Sequence, residues 1–160
     1  MFYHEKFDHI SIENELADEF RSDFNYESGH KMIGIFCNIQ KTKVDIVYIP
    51  HLPIAQFILE DNIRMYNNAD ISAMKIQAIL GRGQKTYFWD IYELLQHYSL
   101  QQWIGWHKQK YSTQMLAISI PNAISYFADA DESDAPISFK KQTWEIVKKG
   151  ISWAVSDYLK

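Results

Sequence analysis

The chain has 160 residues and a mass of 18.9 kDa, room for one domain or for a small sheet domain joined to a helical one. Apolar residues make up 47% and charged residues 22%, a globular balance that excludes a largely disordered protein. The apolar runs are too short for a transmembrane helix, and the formal net charge of -4 speaks against a protein that coats DNA.

Charge is unevenly spread. Glu5, Asp8, Glu13, Glu15, Asp18, Glu19, Asp23 and Glu27 outweigh Lys6 and Arg21 near the start, and the middle of the chain is mildly basic. A second acidic cluster at Asp129, Asp131, Glu132 and Asp134 precedes Lys140, Lys141, Lys148 and Lys149. The single Cys37 leaves neither a disulfide framework nor a cysteine-based zinc site. Met1 is followed by Phe, Tyr, His and Glu, not by the basic start of a secretory leader, so a reducing cytoplasm is the expected compartment.

In chain order, Ile12, Leu16 and Phe20 recur at four-residue spacing and predict a helix from about Ile12 to Phe24, with Ser11 as its cap. After Gly29, Met32–Asn38 and Val44–Ile49 read as two strands joined through Gln40-Lys41-Thr42, and Pro50 and Pro53 end the second. Residues 54–66 are ambiguous, readable as a short helix and then a short strand. From residue 67 the period becomes helical. Asn67 or Asn68 caps a helix whose stripe is Ile71, Met74 and Ala78, ending at Gly81-Arg82-Gly83. Phe88, Ile91, Tyr92 and Leu95 form the stripe of the next helix. Ser99 and Gln102 have capping-box spacing ahead of a helix carrying Leu100, Trp103, Ile104 and His107, with Tyr98 placed to staple on Trp103. A helix over 113–127 is expected to kink at Pro121, 129–136 reads as an acidic loop, and a last helix from Thr143 turns Trp144, Val147, Ile151 and Tyr158 to the core.

Several residues carry candidate chemistry. Asp45 sits inside a strand between Val44 and Ile46; it is either a metal-facing carboxylate or an acid facing solvent at a strand end. Lys75 interrupts an apolar helix face, and Arg82, Lys85 and Asp90 follow closely. The cations suit phosphate groups, and Asp90 could orient one of them or a water. The plainer alternative is a salt bridge of Asp90 with Arg82 or Lys85. Gly81-Arg82-Gly83 is not a phosphate-cradling loop of the G-x-x-x-x-G-K-[ST] type. His97 and His107 read as packing or surface residues, Cys37 as core, and no serine-nucleophile elbow is present.

The segment NNADISAMKIQAILGRGQKTYFWDIYELLQHYSL resembles the AbiEii/AbiGii nucleotidyltransferase toxins of bacterial abortive-infection and toxin–antitoxin systems. Those proteins place a DIAAMKL-A helix before RG, a lysine and an F-D-Y-LL helix. Here the matching residues are Asp70, Ile71, Ala73, Met74, Lys75, Ala78, Arg82, Gly83, Lys85, Phe88, Asp90 and Leu94. KVDIVYIP is similar to the family strand that carries a third acid, at Asp45, and YFADADESDAP with TWEIVKKGI is similar to the C-terminal part of shorter members.

The resemblance implies an α+β fold: a nucleotidyltransferase palm of helix and antiparallel hairpin over residues 1–66, incomplete here, then a helical domain over 67–160. It implies nucleotide transfer from an NTP to an acceptor such as tRNA, with Asp45 and Asp90 as catalytic acids, Asp45 as a ligand of magnesium, and Lys75, Arg82 and Lys85 as phosphate-binding groups. Two family motifs, GG-[ST] and the D-x-D pair that supplies two metal ligands, do not precede the first helix, and the acid of K-K-D-F is replaced by Tyr87. The expected protein is therefore a truncated or degenerate member, inactive as given and holding no magnesium. The alternative is a non-catalytic module that binds a nucleotide, RNA or an antitoxin. Without the family's first strand the hairpin is expected to be short of a neighbour, so a homodimer through that edge, or helix coverage of it, is also expected.

Overall fold

In a computed structural model, which describes residues 2–27 and 34–160, the chain divides into two compact units, Met1–Leu52 and Pro53–Lys160. The architecture is mixed α+β.

The first unit runs β1 (Phe2–Tyr3), α1 (His9–Phe20), a 3-10 turn (Arg21–Asp23), β2 (Phe24–Tyr26), β3 (Gly34–Ile39) and β4 (Thr42–Tyr48). The strands lie in the order β1-β4-β3-β2, with β1 parallel to β4 and the other pairs antiparallel. Gln40 and Lys41 connect β3 to β4 at φ of 50° and 67°. Two consecutive left-handed residues give the turn whose twist matches that of paired strands. Ile35 lies opposite Ile46 and Cys37 opposite Val44. Strand alternation puts these four on one face, where Ile12 and Leu16 of α1 cover them. Burial, reinforced by the charges of Asp45 and Glu27, raises the Cys37 thiol pKa, which suits an inert core residue.

Three expectations are corrected here. Asp8, not Ser11, caps α1, its carboxylate accepting from Ile10 N at 3.0 Å and Ser11 N at 3.4 Å; Ser11 lies inside the helix. The helix stops at Phe20 because Arg21 turns to φ 47° and Phe24 joins a strand opposite Ile39. The β3–β4 hairpin is not short of neighbours either, since β1 and β2 flank it. These outer strands are two and three residues long, and short edges expose few unpaired backbone groups. Gly29 and the start of the expected strand at Met32 lie outside the described residues.

The second unit opens with a hairpin, β5 (Ile58–Glu60) and β6 (Ile63–Met65), followed by α2 (Asn68–Gly81), α3 (Lys85–Leu95), α4 (Leu100–Lys110), α5 (Ile120–Ile124), α6 (Ala128–Asp131) and α7 (Trp144–Tyr158). The hairpin replaces the helix-then-strand reading of 54–66. Its turn, Asp61-Asn62, has φ of 49° and 62°, which Asp and Asn tolerate better than other non-glycine residues.

Asn67 caps α2 by accepting from Ala69 N, and Ser99 and Gln102 form the full capping box on α4. The α2 stripe is rotated from expectation: Ala69, Ser72, Ala73, Ile76 and Ile79 are buried, while Ile71, Met74 and Ala78 are half-buried. α2 packs against α3, α4 and α5, so much of its surface is apolar and periodicity alone misplaces the seam. Phe88 and Ile91 of α3, Trp103 of α4, Ile124 of α5 and Ile151 of α7 fill the core. The Tyr98 ring contact goes to Trp106, at 5.1 Å, rather than to Trp103. The expected kinked helix over 113–127 is only the short α5. Ser119 starts it by accepting from Asn122 N, and Pro121 lies in its first turn, where a missing N–H costs nothing. α6 occupies part of the expected acidic loop. In α7 the buried positions are Val147, Ile151 and Val155, and Tyr158 is exposed. Among the described residues no helix is long and apolar enough to cross a membrane.

Two helical glycines separate packing from propensity. A Cβ on Gly150 of α7 would stand 2.4 Å from the Tyr92 ring of α3, whereas one on Gly105 of α4 would meet nothing within 4 Å. Gly150→Ala is expected to lower unfolding free energy by about 1–3 kcal/mol and Gly105→Ala to raise it by up to about 1 kcal/mol, both read from urea denaturation curves.

Candidate functional site

The motif cations and acid are organised by two consecutive helices. α2 ends at Gly81, three residues separate it from α3, and the returning chain brings Asp90 against Lys75. Lys75 Nζ lies 2.5 Å from Asp90 Oδ2, with the side chains 29% and 46% exposed. The ammonium also stands 5.4 Å from the centre of the Tyr87 ring. Asp90 therefore pairs with neither Arg82 nor Lys85. A partly solvated pair of this kind contributes little to stability.

Arg82 follows α2, exposed, and its guanidinium has no partner among the described residues. Lys85 is engaged differently: its Nζ donates to the carbonyls of Asp131 at 3.1 Å and Ser133 at 2.6 Å, and its backbone N–H to Ser133 Oγ at 2.9 Å. It ties the acidic segment to the start of α3. Gly83 is buried, and a Cβ there would reach Asp129 Cβ at 3.4 Å, so the same segment packs closely over the turn.

Asp45 belongs to the first unit. It lies on β4 opposite Phe36, half-buried, on the sheet face away from Ile46 and Val44. Catalytic magnesium takes several hard oxygen donors. Among the described residues no group of three or more His, Cys, Asp or Glu side chains could hold a metal ion, and Asp90 already faces an ammonium. Among the described residues, Asp45 and Asp90 do not supply the several oxygen donors that a magnesium ion takes.

The sequence reading missed the most deeply buried charges. Asp70 and Lys110 side chains are 0% exposed and pair at 2.7 Å. Asp70 also accepts from Ile54 N and Ala55 N at 3.1–3.2 Å, and Lys110 Nζ stands 5.2 Å from the centre of the Tyr66 ring. Tyr111 is pushed up to about 12 by burial, then by the Tyr66 and Asp70 charges. The available signal was an acid in the first turn of an apolar helix, facing inward where capping did not require it. His107 is buried beside this group, its Nε2 donating to Gln77 Oε1 at 3.1 Å, and burial lowers its pKa.

A groove of about 440 Å³ adjoins the motif, lined by Thr86, Trp89, Asp90 and Glu93 of α3 and by residues 136–140 and Gln142. The Glu93 carboxylate accepts from Lys140 Nζ and Gln142 Nε2, and Ser138 Oγ donates to Gln142 Oε1 at 2.5 Å. The Lys140 bond, more than any other contact, holds the Glu93 pKa below the usual carboxylate range. A scan against models of known protein families, a search of characterised proteins and a search of solved structures gave no match.

Removing one member of the buried pair leaves the other charge without compensation. Lys110→Met is expected to cost about 3–5 kcal/mol in urea unfolding, and Asp70→Asn/Lys110→Met to recover most of that loss. His107 sets a second test. Its folded pKa is depressed below 6.5, so the unfolded chain takes up the proton more readily and stability falls as pH drops through the unfolded value. The melting temperature should decline from about pH 7.5 to about pH 5.5, and His107→Gln should flatten that decline.

Proposed function

We propose that this chain is a nucleotidyltransferase-like protein of the AbiEii/AbiGii toxin type whose helical unit grips the phosphates of a nucleotide or of an RNA end through Lys75 and Arg82, without transferring a nucleotide by itself. The observation that carries this reading is the partly exposed Lys75–Asp90 pair, with Arg82, exposed and without a partner among the described residues, in extended backbone at the end of the same helix. Both cations are reachable from solvent, one on α2 and one at its cap. A phosphate can displace Asp90 from Lys75 at small cost, because the exposed pair is weak, and the guanidinium fork suits phosphate oxygens. Lys85 is left out of the grip because its ammonium is held by two carbonyls.

The sheet unit, with α1 on one face and Asp45 on the other, supports a palm-like reading, and the unsuitable metal donor set supports binding without turnover. An acceptor such as tRNA and a partner antitoxin are part of the same proposal. Inorganic tripolyphosphate tests the grip apart from any base. Calorimetry should give binding that magnesium leaves nearly unchanged and that Lys75→Ala/Arg82→Ala weakens at least about tenfold, or about 1.4 kcal/mol. Equal binding by the double variant and the parent would refute the grip. Transfer of label from an α-labelled NTP to RNA would refute the absence of turnover.

A further inference from the structure

The groove beside the Lys75–Asp90 pair has a construction that phosphate binding does not use. Its walls are apolar: Trp89, Ile137 and Phe139. Trp89 is buried and stacked on Trp144, with ring centres 5.5 Å apart and planes 12° from parallel, so that wall is rigid. Phe139, by contrast, is 96% exposed. An aromatic ring held in solvent at the rim of a groove is free to stack on a flat ligand. One oriented acceptor lies between these walls. Glu93 is held by Lys140 and Gln142, Gln142 is held in turn by Ser138, and the Gln142 N–H donates to Ser138 Oγ at 3.2 Å. The carboxylate still has 32% of its side chain exposed, and each of its oxygens can accept a second hydrogen bond.

We propose that this groove takes the base of the nucleotide or RNA end, with Phe139 stacking on it and Glu93 selecting bases that carry an exocyclic amino group over uracil. The proposal rests on the phosphate-grip reading, because Asp90 belongs both to the groove and to the Lys75 pair, so a base here leads its phosphates to the cations. A charged carboxylate accepts from the amino group of cytosine, adenine or guanine. Uracil presents carbonyl oxygens flanking its single ring N–H, and these are repelled by the same carboxylate. The Lys140 bond that lowers the Glu93 pKa keeps the carboxylate ionised and the selection in force at neutral pH. The size fits as well: a cleft of a few hundred Å³ that sets apolar side chains beside polar groups able to orient a ligand is a usual form of a small-ligand site.

CTP and UTP share ribose and triphosphate and differ only on one edge of the base, where cytosine carries an amino group beside a bare ring nitrogen and uracil a carbonyl beside a ring N–H. Single-stranded oligonucleotides ending in cytidine or uridine repeat the comparison for an RNA end. On the full chain, CTP or the cytidine-ended oligonucleotide should bind at least about tenfold more tightly than its uracil counterpart. The pair that shows the preference identifies the source of the base. Glu93→Gln should abolish the preference and leave tripolyphosphate affinity unchanged. Phe139→Ala removes an exposed ring with no core contact, and should weaken both members of the preferred pair by about tenfold or more. Equal affinity within both pairs, or a preference that survives Glu93→Gln, overturns the groove assignment while tripolyphosphate binding keeps the grip. Failure of tripolyphosphate as well as of every nucleotide overturns both.

Discussion

The Asp70–Lys110 pair is the constraint around which the helical unit is arranged. Two opposite charges are removed from water, a loss their mutual attraction offsets only when the geometry is close and the remaining hydrogen-bonding capacity is used. Both conditions hold for Asp70: the ammonium is 2.7 Å away, and backbone N–H groups of Ile54 and Ala55 occupy its oxygens. Helix polarity adds to the match. Asp70 is in the first turn of α2, where the helix end is partially positive, and Lys110 is in the last turn of α4, where it is partially negative. The pair therefore sets the start of α2 beside the end of α4 and binds the segment leading into β5–β6 to the same point.

That anchoring carries through to the candidate site along a single helix. Five residues of α-helix rotate a side chain by about 140°, so an Asp70 locked inward turns Lys75 away from the interior. There it meets Asp90, because α3 returns after a connection of only three residues. The inner pair is sealed from water; the outer pair is half-open to it. One helix thus carries two ionic contacts with opposite physical characters, and burial is what separates them.

Around α3 a different economy operates. The acidic segment after α6, which has the composition of a solvated loop, is gathered in by the Lys85 ammonium and by Asp131. That carboxylate accepts from the Trp144 indole at 2.5 Å, the contact that most lowers its pKa, and faces Lys148 at 3.4 Å. Beyond it, residues 136–142 are fastened to Glu93. These bonds involve exposed groups and add little to global stability, but they fasten the Glu93 carboxylate to the 138–142 stretch.

Local chemistry was legible from the residues themselves. The Ser99–Gln102 capping box, the Asn67 cap, the start of the last helix near Thr143, the two long strands and the α+β class all follow from contacts within a few positions, where spacing determines geometry. The sequence also placed Lys75, Arg82, Lys85 and Asp90 together as charged residues within fifteen positions. Tertiary structure decided which charge met which. Asp90 paired with Lys75 rather than with Arg82 or Lys85, which are nearer in sequence, Lys85 turned to the carbonyls of a segment far along the chain, and Asp70 found Lys110 across forty positions. It also rotated the α2 seam, converted Phe24–Tyr26 into a strand and confined the Pro121 helix to five residues. Propensity and periodicity report a residue's near neighbours, whereas pairing and burial depend on which distant surfaces exclude water from it, and no spacing along the chain encodes that.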